Sequence, residues 1–131
     1  MAPSPATPLR IILFAGKIRS YKEAMPSILY TVRSTCKDLH QRGRFLAWLV
    51  PGHVLGVKAG GGGAVRVSLP DRESDTAPVI VEAQYVVPSR TAFDTSMRDH
   101  MPALRADLLK QFPPESGITY ARQVAEIAAE L

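Results

Sequence analysis

Residues 25–39 read MPSILYTVRSTCKDL, and the architecture expected of the chain turns on them. Met25, Ile28, Leu29, Val32, Cys36 and Leu39 recur at three- and four-residue intervals, which places them along one side of an α-helix. Lys22, Arg33, Lys37, Asp38 and Gln41 fall on the other side. Ser20 and Glu23 stand at capping-box spacing ahead of the stripe, and the helix is expected to end near Arg42 and Gly43. Pro26 conflicts with a regular helix, because an interior proline removes a hydrogen bond and crowds the preceding turn. A kink at Pro26, or a helix start there, accommodates it.

Working outward, residues 10–15 (RIILFA) read as a short apolar strand that Gly16 ends, and residues 44–50 (RFLAWLV) as a second strand stopped by Pro51 and Gly52. A helix between two strands implies a right-handed crossover joining parallel neighbours. Residues 53–63 form a loop or hairpin around Gly60, Gly61, Gly62 and Gly63. Residues 64–69 are a third strand, and residues 70–78 a polar connection. In residues 79–87 (VIVEAQYVV), Val79, Val81, Ala83, Tyr85 and Val87 alternate with a wetter set, which predicts a fourth strand with one buried face. Pro88 and Ser89 end it. Asp94 or Ser96 caps a helix striped by Met97, Met101, Leu104, Leu108 and Phe112, with Pro102 allowing a stricter start near Met101. After Pro113 and Pro114, the four-residue steps Tyr120 and Val124, then Ile127 and Leu131, predict a final helix. The expected fold is α/β: a single domain over residues 9–131, with a mixed four-stranded sheet, two long helices on one face and an additional C-terminal helix. Residues 1–8, with Pro3, Pro5 and Pro8, form a flexible lead.

A chain of 131 residues is one ordinary domain in length. The lone Cys36 cannot form an intrachain disulfide, which favours an intracellular, reducing compartment, the mitochondrion among them. No apolar run approaches the roughly 20 residues that cross a bilayer, and the N-terminus has no basic region ahead of an apolar core. The net charge of +4 is unevenly spread. Residues 1–66 carry ten Lys or Arg against Glu23 and Asp38, and residues 67–131 carry six against ten acids. A basic flank of this kind meets RNA, an acidic protein or an anionic surface. Lys17, Arg19 and Lys22 cluster before the helix, Arg42 and Arg44 at its far end, and Lys58 and Arg66 flank the glycines, so these seven are the expected RNA or partner contacts. No RNA-recognition aromatic motif accompanies them, and Phe45 and Trp48 are assigned to packing.

Catalytic patterns are absent by spacing. The glycine run is not followed by Lys and Ser or Thr before a helix, as a phosphate loop requires, and it lacks the dinucleotide fingerprint. His40, His53 and His100 have no zinc-ligand partners; Cys36 and His40 supply two ligands at most. Asp71, Glu73 and Asp75 lack the rest of a calcium loop. Cys36 reads as a small core residue and Glu82 as a residue of the wet strand face. No metal or other cofactor is expected. If a site is assembled from separated loops, His53, Asp94 and His100 are its candidate residues.

The order strand, long helix, strand, two strands, helix, together with residues 78–85 (PVIVEAQY), resembles the thioredoxin-like family shared by a large-subunit protein of the mitochondrial ribosome and an accessory subunit of respiratory complex I. The resemblance spans residues 9–112. It departs from the family where Pro88 and Ser89 replace a glycine turn, over the long segment 51–76, and in the final helix. It implies a structural subunit and not an oxidoreductase, since no Cys-x-x-Cys lies near residues 15–22. Basic residues would then contact ribosomal RNA, and apolar stripes would dock neighbouring proteins. The expected function is a non-enzymatic structural or interaction subunit of a protein or ribonucleoprotein assembly. A small ligand-binding protein or enzyme, and a freestanding RNA-binding domain, are the alternatives.

Overall fold

Residues 28–36 are extended. The computed structural model describes residues 12–14, 17–19, 26–61 and 63–131, and in it Ile28–Cys36 forms strand β3 at the centre of a four-stranded sheet. The expected lead over residues 1–8, the capping pair Ser20 and Glu23, and Lys22 lie outside the described residues. The expected helix fails because positions 28, 32 and 36 are common to a four-residue and a two-residue repeat. Tyr30 and Ser34 complete the two-residue repeat, and Ile28, Tyr30, Ser34 and Cys36 are all buried. β-branched Ile28, Thr31, Val32 and Thr35 suit a pleated backbone.

The expected first strand does not join this sheet, and residues 10, 11 and 15 of it lie outside the described residues. β1 (Ile12–Phe14) pairs antiparallel with β2 (Lys17–Arg19) in a separate two-stranded sheet. The four-stranded sheet runs β4 (Val65–Ser68), β5 (Val79–Val87), β3, β6 (Thr119–Glu126), every neighbour antiparallel. The expected parallel crossover is therefore not formed, and the sheet is antiparallel where a mixed one was expected. β6 also replaces the expected C-terminal helix: Tyr120 and Val124 again fit both periods, and the chain pairs with β3 along Thr119–Glu126. Residues 44–48 belong to helix α1 (Leu39–Trp48) and residues 49 and 50 to the π-helical turn that follows it, not to a strand, and Phe45 and Leu49, four apart, are both buried. The element order underlying the thioredoxin-like resemblance, helix then strand over residues 25–50, is thus reversed.

α1 begins at Asp38, whose side chain accepts the Gln41 amide at 2.7 Å. It runs through a π-helical turn, Leu49–His53, into α2 (Val54–Ala59), which occupies what was expected to be a loop. Pro51 brings no N–H to an α-type ladder, and the Val54 amide reaches back five residues to the Leu49 carbonyl. α3 (Arg90–Asp99) is capped by Ser89, ahead of the expected Asp94 or Ser96, with the Ala92 amide 3.1 Å from Ser89 Oγ. α4 (Met101–Gln111) starts afresh with Pro102 in its first turn, as the stricter start near Met101 anticipates.

Register places Ile28, Tyr30, Val32, Ser34 and Cys36 beside Val87, Tyr85, Ala83, Val81 and Val79, with Val65 and Val67 on the same side. The helices cover this side. Tyr30 lies between Tyr85 (5.9 Å between ring centres) and Phe93 (5.4 Å), and Phe45 meets Phe112 edge-on at 5.1 Å. The opposite side carries Leu29, Thr31, Arg33 and Thr35 with Val86, Gln84, Glu82 and Ile80, and no described helix packs there.

Gly60 ends α2 against α4. A Cβ there would stand 1.9 Å from the His100 ring, whose Nε2–H donates to the Gly56 carbonyl at 2.8 Å. Gly60→Ala must displace that ring, and we expect it to cost about 1–3 kcal/mol by thermal or urea unfolding. An unchanged midpoint would show that the ring yields freely.

Candidate functional site

Between the helices and the sheet lies a cavity of about 200 Å³. Its floor is Tyr30, Val32 and Ser34 of β3 with Val81, Ala83 and Tyr85 of β5, and its roof is Phe45, Leu49, His53 and Val57. Met101, Arg105, Leu108 and Leu109 of α4 close one side, and Tyr120 and Arg122 of β6 the other. The floor residues are buried or half-buried whereas Leu109 and Arg122 are exposed, so the opening lies between α4 and the β6 edge.

His53 ends the π turn, the widened segment that Pro51 imposes. Its ring stacks on Trp48, 4.9 Å away and 26° from parallel. Its Nδ1 is buried, and among the described residues no hydrogen-bond partner reaches it. A buried polar nitrogen left without a partner is costly in an ordinary core. Burial pushes the His53 pKa below the ordinary 6.5, opposed by the Asp107 carboxylate, so the ring is neutral at pH 7. The unfolded chain binds this proton more readily. Stability from His53 is therefore complete above about pH 6.5 and falls as pH drops through the lower folded value. His53→Gln should flatten the loss of unfolding free energy between about pH 7.5 and about pH 5.5; parallel profiles for variant and wild type would contradict it.

Tyr85 and Tyr120 remain neutral phenols. Burial, with Tyr30 adding to it, holds the Tyr85 hydroxyl well above the usual range. Burial also pushes Tyr120 up to about 12, and its hydroxyl donates to the Phe112 carbonyl at 3.1 Å. Cys36 lies outside the cavity lining, and burial raises its thiol pKa despite the nearby Arg42, so it is a core thiol and not an activated nucleophile. The arrangement offers an apolar chamber, one neutral imidazole, phenolic groups and two arginines near the opening.

Of the sequence-predicted residues, His53 alone lines this cavity among the described residues. His100 is absent from the lining and clips α4 to α2 through the Gly56 carbonyl. Asp94 is an exposed residue of α3. The expected set His53, Asp94 and His100 does not line one pocket. Among the basic candidates, Lys17 and Arg19 belong to β2, Arg42 and Arg44 to α1, and Lys58 to α2. Arg66 pairs with Gln84 and so projects on the sheet side away from the helices. α1 and α2 thus carry Arg42, Arg44 and Lys58 on one side of the sheet and Arg66 lies on the other. Among the described residues, no group of three His, Cys, Asp or Glu side chains converges as metal ligands, and no helix is long and apolar enough to cross a membrane.

No protein-family model matches the chain, and no curated protein matches it. Among solved structures, a dimeric ferredoxin-like protein from an uncultured marine organism is similar at TM-score 0.55 and 12% identity, over 81% of this chain and 99% of that one. The de novo designed protein Foldit4 aligns at TM-score 0.48 and 11% identity, over 76% of this chain and 96% of its own. The first likeness defines the fold class: a ferredoxin-like α/β architecture, an antiparallel sheet with its helices on one side.

Proposed function

We propose that this chain is a small-molecule-binding domain whose ligand occupies the cavity between helices and sheet. The observation that carries the reading is the apolar chamber with His53 Nδ1, unpartnered among the described residues, in its wall. A wholly structural core closes such space, because voids and unpaired buried nitrogens both cost stability. The size narrows the ligand. An apolar cavity of about 150 Å³ holds benzene, so about 200 Å³ suits a single ring with a small substituent. Tyr30, Phe45 and Tyr85 supply aromatic walls for such a ring. Heteronuclear NMR titration of the intact protein with benzoate and with benzyl alcohol tests the reading. Perturbed resonances at Tyr30, Phe45, His53 and Tyr85 are expected. Saturating additions of both compounds without change at those residues would overturn it.

A second reading, self-association, is favoured by the sheet face that no described helix covers. Half-buried Leu29, Ile80 and Val86 accompany Thr31, Thr35 and Gln84 there, around an Arg33–Glu82 ion pair whose Nε–Oε2 distance is 2.9 Å. The ferredoxin-like comparator is itself dimeric. Light scattering across micromolar concentrations is expected to give twice the chain mass, with Val86→Glu restoring the monomer; a wild-type monomer throughout would contradict it. The subunit role expected from the sequence would use the same face, with a different protein in place of the second copy.

A further inference from the structure

Resting on the cavity reading, we propose that the ligand is an anion, an aromatic monocarboxylate whose ring enters the cavity while its carboxylate meets Arg122 and Arg105. Arg122 pairs with Val32, on the side of the sheet that faces the helices. That side otherwise buries Tyr30, Ser34, Val81, Ala83 and Tyr85, and Arg122, exposed on the β6 edge, brings a cation to the rim of that apolar lining. Arg105 approaches the same opening from α4, half-buried, with Nη2 4.0 Å from Met97 Sδ, a weak acceptor. Among the described residues, no carboxylate lies within ion-pair distance of either guanidinium. Among the described residues that line the cavity there are two arginines and no Asp or Glu, and Asp107 acts on His53 from outside that lining.

Guanidinium binds carboxylate through paired, charge-assisted hydrogen bonds, stronger than neutral ones. The length of an arginine side chain lets its head remain near water while its stem lines the wall. A ring between Phe45, Tyr30 and Tyr85 then leaves its acid at the opening, and His53 Nδ1 is available to a polar substituent within. Charge and shape are read by different groups, so they can be separated by experiment.

Dissociation constants of benzoate and of the neutral benzyl alcohol are to be measured by NMR titration of the intact wild type, Arg122→Gln and Arg105→Gln. Wild type should favour benzoate by about tenfold to a hundredfold. Arg122→Gln should remove most of that preference by weakening benzoate more than benzyl alcohol, with an unaltered amide spectrum elsewhere. Arg105→Gln supplies a second test, should loss of Arg122 disturb the β6 edge. Equal affinity for the two compounds in wild type, or a preference that survives both substitutions, would overturn the anion assignment while leaving the cavity reading intact. Binding of neither compound would overturn both.

Discussion

Tyr85→Ala lowers the unfolding free energy by about 3–5 kcal/mol, the range for removing a large aromatic side chain from a core. Tyr85 stands mid-strand in β5, paired with Tyr30 on β3 and Val65 on β4, and is 2% exposed. Its ring stacks on Tyr30, which in turn holds Phe93 of α3, so one truncation loosens the contact between sheet and helical layer. The cost is further raised because Tyr85 already borders the cavity, so its removal enlarges an existing void that neighbours cannot easily fill. Against a total of about 5–15 kcal/mol for a domain, little stability remains. Urea unfolding should show a lower midpoint at unchanged slope. Tyr85→Phe retains the ring and its packing and is expected to cost less than about 1.5 kcal/mol, as a near-isosteric core substitution does. A comparable loss in both variants would assign the effect to the hydroxyl and contradict the packing account.

Gln41→Leu is expected to cost about 2–6 kcal/mol, although leucine has nearly the same volume. Gln41 is 3% exposed on α1 and joins elements distant in sequence. Its Oε1 accepts the Lys37 amide at 2.7 Å, and its Nε2–H donates to the Ser116 carbonyl at 2.6 Å. Ser116 closes the short 3₁₀ turn Pro114–Ser116, after which Gly117, at φ 90°, turns the chain into β6. Leucine leaves both backbone groups without their partner in a part-buried site, at about 1–3 kcal/mol each. The loss should be local as well as global, with hydrogen exchange accelerating along Thr119–Glu126 before it does in β5. A loss under about 1 kcal/mol would mean that water replaces the side chain.

β5 was legible because Val79, Val81, Ala83, Tyr85 and Val87 alternate at every position between two prolines. β3 was not, because Ile28, Val32 and Cys36 serve either period and only Tyr30 and Ser34 separate them. In residues 44–50 the apolar run is too short for composition to distinguish strand from helix. The decisive contact, Phe45 with Phe112, is remote in sequence. The same ambiguity hid the site. Read as helix, Arg122 falls opposite the Tyr120 and Val124 stripe and points to water; read as strand, it shares their inward side. His53 was accessible to reasoning as a turn histidine, but its inward aim depends on the π turn at Pro51. Nothing local to Asp94 or His100 reveals that one remains exposed and the other clips two helices. The lining residues Tyr30, Ser34, Tyr85 and Arg105 come from three elements and converge only through sheet register and helix packing.

The most direct test is to locate a bound ring. Intermolecular nuclear Overhauser effects between benzoate and the intact protein should reach Phe45, Tyr30 and Tyr85, with the carboxylate end nearest the Arg122 side chain. Contacts confined to the sheet face of Thr31 and Gln84, or no intermolecular contacts at saturating benzoate, would contradict a ligand site between helices and sheet.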